Sequence, residues 1–245
     1  MKKYLLIIFL LCIPISAGAW GIGLIGGGTV AGEPPAGIAV TNLASGISAT
    51  EIITIACNTE TPTGMVLIST ACAYGSLPAE EAVTIAGCGL SWGQLDLQAY
   101  GGRRFLAISK GTGTWSAVGN LTIECEDDGE ETFNDSIYSI DEVTGSDETN
   151  DAVVKMAGTA SGENLGDVGT PGTGDVVFSA FTDEDAEDTI ALTSGITQLS
   201  KNDTAGYNVR ALIVGWDNDP ADETPGFTSN TSGGYAGMGF IINVP

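Results

Sequence analysis

A chain of 245 residues with 43% hydrophobic content carries enough apolar material for a full core, which excludes wholesale disorder. Its 31 acids against 8 basic residues give a formal net charge of −23, so its surface repels nucleic-acid phosphates and anionic lipid headgroups. There is no histidine, which excludes Ser-His-Asp triads, Cys-His dyads and histidine-ligated zinc.

The chain begins like an export signal. Lys2 and Lys3 supply a positive start, residues 4–15 form an apolar run, and Ala17-Gly18-Ala19 fits the small-x-small cleavage rule. The reading is a cleaved signal over 1–19 and a mature start near Trp20. Leu11 stands before Cys12 where a lipoprotein signal needs a small residue. The apolar run is shorter than the roughly 20 residues of a spanning helix and contains Pro14. The expectation is therefore a secreted, periplasmic or cell-surface protein, with no membrane attachment after cleavage. Residues 20–35 follow as a Gly-rich arm ending in Pro34-Pro35. Its apolar residues Trp20, Ile22, Leu24 and Ile25 suit packing on the body or on a neighbouring subunit. Gly21-Ile22-Gly23-Leu24-Ile25-Gly26 matches G-x-G-x-x-G but lacks the strand before and helix after that a dinucleotide site needs.

From residue 36 the pattern is one of short β-rich runs separated by turn residues. Strands are predicted over 37–43, 51–57, 65–74, 82–86, 92–100, 103–109, 121–126 and 136–143. Further strands are predicted over 152–156, 176–181, 189–192, 207–216 and 237–244. Gly101-Gly102 marks a hairpin. The uniformly apolar stretches 65–71 and 239–244 read as strands buried on both faces. Residues 158–174 are nearly pure turn chemistry and read as a surface loop or a connection between halves. No segment has convincing helical periodicity, and no fixed-period repeat occurs. The fold expected for 36–245 is one all-β domain, a two-sheet antiparallel sandwich of jelly-roll type. Cys57, Cys72, Cys88 and Cys125 remain after cleavage and allow up to two disulfides in any of three connectivities.

Carboxylates are the remaining chemistry. Only six of the 31 acids precede residue 120. Glu126, Asp128 and Glu130 have the E-x-D-x-E spacing of some sandwich glycosidases, but Asp128-Gly129 is a turn signal, and the stretch reads as a solvated turn. No catalytic residues are assigned. Calcium is the cation most suited to the acidic loops. Asp217, Asp219, Asp222 and Glu223, around Pro220, are the candidate ligands, and 183–188 and 126–131 form two further acidic groups. Trp92, Trp115 and Tyr235, together with Trp216, are the candidate ligand-binding platforms for a glycan, against the ordinary role of such rings in a core. In the mature chain Arg103-Arg104 is the only paired positive charge, and its expected partner is Asp141 or Glu142.

Four stretches then carry a resemblance: Gly89-Leu90-Ser91-Trp92, Gly102-Arg103-Arg104-Phe105-Leu106-Ala107-Ile108, Gly119-Asn120-Leu121-Thr122-Ile123 and the run from Ser136 to Gly145. In this order they resemble a loose group of environmental phage and bacterial proteins, jelly-roll sandwiches of the virion-surface or cell-surface kind. The resemblance spans about residues 60–150 and implies no catalytic residues. The expectation is a non-catalytic structural or adhesive protein that self-associates as a homo-oligomer. The alternative is a glycan-binding module, with calcium as an assisting ion.

Overall fold

The structure is a computed structural model, and it describes residues 37–58, 60–74, 82–126, 133–184, 190–193, 195–203, 209, 211–217 and 224–245. Residues 1–19 and the arm 20–35 lie outside these. All described residues fall in one compact unit, Pro35–Pro245. Among them there is no helix, and hence none long and apolar enough to cross a membrane.

Fourteen strands form three antiparallel sheets. In chain order they are β1 (Ala39–Ser48), β2 (Ile52–Ala56), β3 (Met65–Tyr74), β4 (Ala82–Ala86), β5 (Ser91–Tyr100), β6 (Arg104–Thr112) and β7 (Asn120–Glu126). There follow β8 (Phe133–Thr144), β9 (Val154–Asn164), β10 (Val176–Asp183), β11 (Ala191–Leu192), β12 (Thr197–Asp203), β13 (Ala211–Asp217) and β14 (Gly226–Ile242). A five-stranded sheet has the order β1-β8-β3-β6-β5, and a three-stranded sheet the order β2-β7-β4. The six-stranded sheet, drawn wholly from the C-terminal half, runs β11-β14-β10-β13-β12, with β9 also on β14.

The first eight strands have jelly-roll connectivity. β1 pairs with β8, β2 with β7 and β3 with β6, as in a long hairpin rolled onto itself. The roll departs from the plain scheme at its end. β5 does not lie beside β4 but pairs with β6, through a tight turn in which Gly101 and Gly102 both take positive φ. The five-stranded sheet thus forms the middle layer. One face packs on the three-stranded sheet and the other on the six-stranded sheet.

This position explains the missing alternation in β3, all ten of whose residues are buried. Met65, Leu67, Ala71 and Ala73 face the six-stranded sheet, meeting Phe178, Leu212, Met238 and Phe240. Val66, Ile68, Cys72 and Tyr74 face the other way, onto Ile53, Ile85, Leu121 and Ile123. Each fully buried Leu, Ile or Phe contributes roughly 1.5–3 kcal/mol. Two disulfides, Cys57–Cys88 and Cys72–Cys125, belong to the second of these cores. The latter ties β3 to β7 across the layers. These bonds suit an oxidising compartment.

Many glycines lie inside strands because an aromatic ring covers them from the neighbouring strand. The register sets Tyr138 opposite Gly46, Trp92 opposite Gly111, Tyr235 opposite Gly158 and Phe181 opposite Gly237. A Cβ at any of the four would come within 3.0 Å of that ring. Gly158 therefore belongs to β9, which runs on to Asn164 through the segment read from sequence as a loop from residue 158. β12 escaped the sequence reading altogether. It is a polar edge strand, TQLSKND, and a register shift between Gln198 and Ser200 breaks its period.

Candidate functional site

The three-stranded sheet is too narrow to cover the five-stranded one. It leaves a cavity on each side, and both cavities bear a tryptophan that the sequence singled out.

The larger cavity, about 320 Å³, lies between β4 and β5, with Ser109 of β6 among its lining residues. Val83, Ile85, Trp92 and Gln94 also line it. Among the described residues β4 pairs only with β7, and its other edge faces this groove. Side chains of β5 engage that edge. The Val83 N–H donates to Gln94 Oε1 at 3.1 Å, and Trp92 Nε1 donates to the Gly87 carbonyl at 3.1 Å. Backbone groups alternate sides along an antiparallel strand. Because Val83 N–H points into the groove, so do the Val83 carbonyl and both backbone groups of Ile85. Among the described residues no strand pairs with them. Such a row is a template for an added strand, and a side-chain amide on one group is a weak stopper.

The smaller cavity, about 110 Å³, lies between β1 and β2 and is lined by Leu43, Ala44, Ile55, Leu121, Ile140 and Trp115, with Glu60 as its one acid. Trp115 Nε1 donates to the Cys57 carbonyl at 2.9 Å, which anchors the indole beside a disulfide. Tyr235 has a different setting. It is 6% exposed, packs on Phe227 at 5.3 Å between ring centroids and covers Gly158. Burial pushes its phenol up from the ordinary value.

Of the proposed calcium ligands, Asp217 is a buried residue at the end of β13, opposite Val177. Asp219, Asp222 and Glu223 lie outside the described residues, as do 127–131 and 185–189. Among the described residues no three Asp, Glu, Cys or His side chains form a metal-sized group.

The expected partner of the arginine pair is corrected. Arg104 pairs with Glu184, whose other oxygen accepts Gly234 N–H at 2.8 Å. Along β3, Arg104 stands opposite Ala73 while Glu142 stands opposite Val66, at the far end of the strand. Glu142 instead accepts the Thr63 and Gly64 N–H groups and the Thr63 hydroxyl.

Asp141, the other expected arginine partner, has a buried setting that sequence reasoning did not foresee. Asp141 of β8 is fully buried on the face toward the six-stranded sheet. It accepts Asn42 Nδ2 at 2.8 Å and the Ser139 hydroxyl at 2.9 Å, and Ser139 in turn accepts the Ser200 hydroxyl of β12 at 2.7 Å. Desolvation outweighs these hydrogen bonds and raises its pKa to about 7. At the other end of this interface Tyr100 donates to Thr182 Oγ1 at 2.9 Å, and Thr182 donates to the Ala211 carbonyl at 2.8 Å. Both chains of hydrogen bonds lie between layers, where they specify register, and the Asp141 chain ends on the partly buried Asn42 of the edge strand β1.

Comparison with protein-family models, curated proteins and solved structures gave no match, so the functional reading rests on the geometry of the chain itself.

Proposed function

We propose that this is a non-catalytic, exported β-sandwich of the structural or adhesive kind, which self-associates by adding a strand at the open edge of β4. The observation that supports this reading is the row of backbone groups at Val83 and Ile85, turned into a groove, with which no strand pairs among the described residues and of which the Val83 N–H is held by the Gln94 side chain. Main-chain pairing supplies affinity in such contacts and the flanking groove supplies specificity. The signal-like start and the two disulfides agree with export to an oxidising site.

Val83→Pro tests the reading. It removes a groove-facing N–H and places a ring on the edge, while the β4–β7 ladder keeps its bonds. Size-exclusion chromatography with light scattering is expected to show a concentration-dependent assembly for the mature chain. For the variant it is expected to show a monomer with unchanged near-UV circular dichroism. A parent chain that stays monomeric up to high concentration refutes the proposal.

A second reading, glycan binding, draws on the two tryptophans that line cavities. A glycan array with and without a calcium chelator tests it, and absence of binding in both conditions removes it for the sugars displayed.

A further inference from the structure

Resting on the groove reading above, we infer that the strand added beside β4 is the segment Trp20–Leu24 of a second copy of this chain. Four observations converge on it.

The first is the vacancy left by topology. The jelly-roll scheme has a strand beside β4, and β5 has moved from there onto β6. The groove lies between β4 and β5, and the Val83 N–H to Gln94 Oε1 bond is the contact across it. A single extended segment that displaces this amide is the smallest partner able to pair with β4.

The second is the pattern of the segment. Trp20, Ile22 and Leu24 alternate with Gly21 and Gly23. In an extended chain this puts three large apolar side chains on one face and none on the other. Five residues match the five of β4, about 17 Å of strand. The apolar face would lie toward Ser109 and the Trp92 ring, and the glycine face toward solvent.

The third is charge. Copies of a protein with a net charge of −23 repel one another. Residues 20–32 contain no charged side chain, and cleavage before Trp20 would add a positive α-amino group. Such a stretch meets an acidic neighbour at little electrostatic cost.

The fourth is delivery. β1, the strand this segment precedes, is the edge of the five-stranded sheet farthest from β5, with β8, β3 and β6 between. Seventeen residues from 20 to 36 span up to about 55 Å when extended, ample to reach a neighbour's groove.

The test uses the full mature chain. A photo-crosslinking residue replaces Thr84, which is exposed beside the groove. Equal amounts of ¹⁵N-labelled and unlabelled chains are mixed as dissociated monomers and allowed to assemble. After irradiation, peptides covering residues 20–24 should be joined to the Thr84 site, half of them pairing heavy with light chains. Ile22→Asp with Leu24→Asp should reduce that yield at least tenfold and convert the assembly to monomer. Crosslinks confined to chains of one isotope, or reaching other segments, overturn the assignment. If Val83→Pro dissolves the assembly while the Ile22/Leu24 double variant does not, the groove reading stands and the donor is wrong. If neither dissolves it, the groove reading falls as well.

Discussion

The five-stranded sheet is covered on both faces, and the two covers are held in different ways. The three-stranded cover comes from strands interleaved with those of the sheet itself; Cys72–Cys125 staples it to β3, and Cys57–Cys88 joins the ends of β2 and β4 within the cover. The six-stranded cover comes from the other half of the chain and has no covalent link to the middle sheet among the described residues. Area explains the difference. A narrow sheet buries too little apolar surface to hold itself down, and cross-links compensate. The broad sheet brings Phe178, Leu212, Met238 and Phe240 into one continuous core. Its margins are also closed, by Lys155 of β9 on Asp96 of β5 at 2.8 Å and by the Ser200–Ser139 contact from β12 to β8. The groove beside β4 belongs to the stapled side.

The largest expected effect breaks the staple. Cys72→Ala with Cys125→Ala opens a loop of 53 residues' separation and should lower unfolding free energy by about 4 kcal/mol on chain-entropy grounds. Guanidinium unfolding measures it. Hydrogen exchange should rise first in β2, β4 and β7, while β10, β13 and β14 stay protected. Equal loss of protection on both sides would show that the two interfaces are one cooperative unit and not separable.

The second prediction probes the unstapled side through pH. Asp141 has a folded pKa of about 7 against an ordinary 3.8, so the folded state holds its proton more tightly. Its favourable contribution is complete below about pH 4 and is lost as pH climbs through 7, an effect on the order of a few kcal/mol. The denaturation midpoint of the parent should therefore fall from pH 5 to pH 8 relative to Asp141→Asn. Parallel profiles for the two proteins would mean that the carboxyl is ionised throughout. The variant should leave assembly unchanged, because the network joins β1, β8 and β12 and does not touch β4.

The smallest effect concerns the closed margin. Lys155→Met removes a partly exposed ion pair and should cost at most about 1 kcal/mol, less in high salt. A larger loss, unaffected by salt, would show that the Lys155 contact to the Leu97 carbonyl matters more than its charge.

Local signals carried the elements well. Residues 65–74 and 82–86 coincide with β3 and β4, and the Gly101-Gly102 turn is where dipeptide chemistry placed it. The uniform apolar run of β3 announced burial on two faces. Its second cover was not foreseen, because composition does not reveal how many layers enclose a strand. β12 and the first half of β14 were missed because edge position and glycine content erase the period that marks a strand. In β14 the glycines are sites of close approach from adjacent segments, Asn164 at Gly226, Glu184 at Gly234 and the Phe181 ring at Gly237, which sequence order cannot display. Trp92 and Trp115 were legible as candidates, yet their distinction from Tyr235 is a matter of which sheet ends short.

By itself the sequence determined the class: extended segments, no imidazole chemistry, an acidic surface, and four cysteines able to pair. It also held the alternating apolar segment at 20–24. Tertiary structure alone decided the pairing of the cysteines, the partner of Arg104, the burial of Asp141 and the open edge of β4. Each of these depends on residues far apart in the chain meeting across a layer or a register. Such meetings follow from topology, and a pattern confined to neighbouring residues does not encode them.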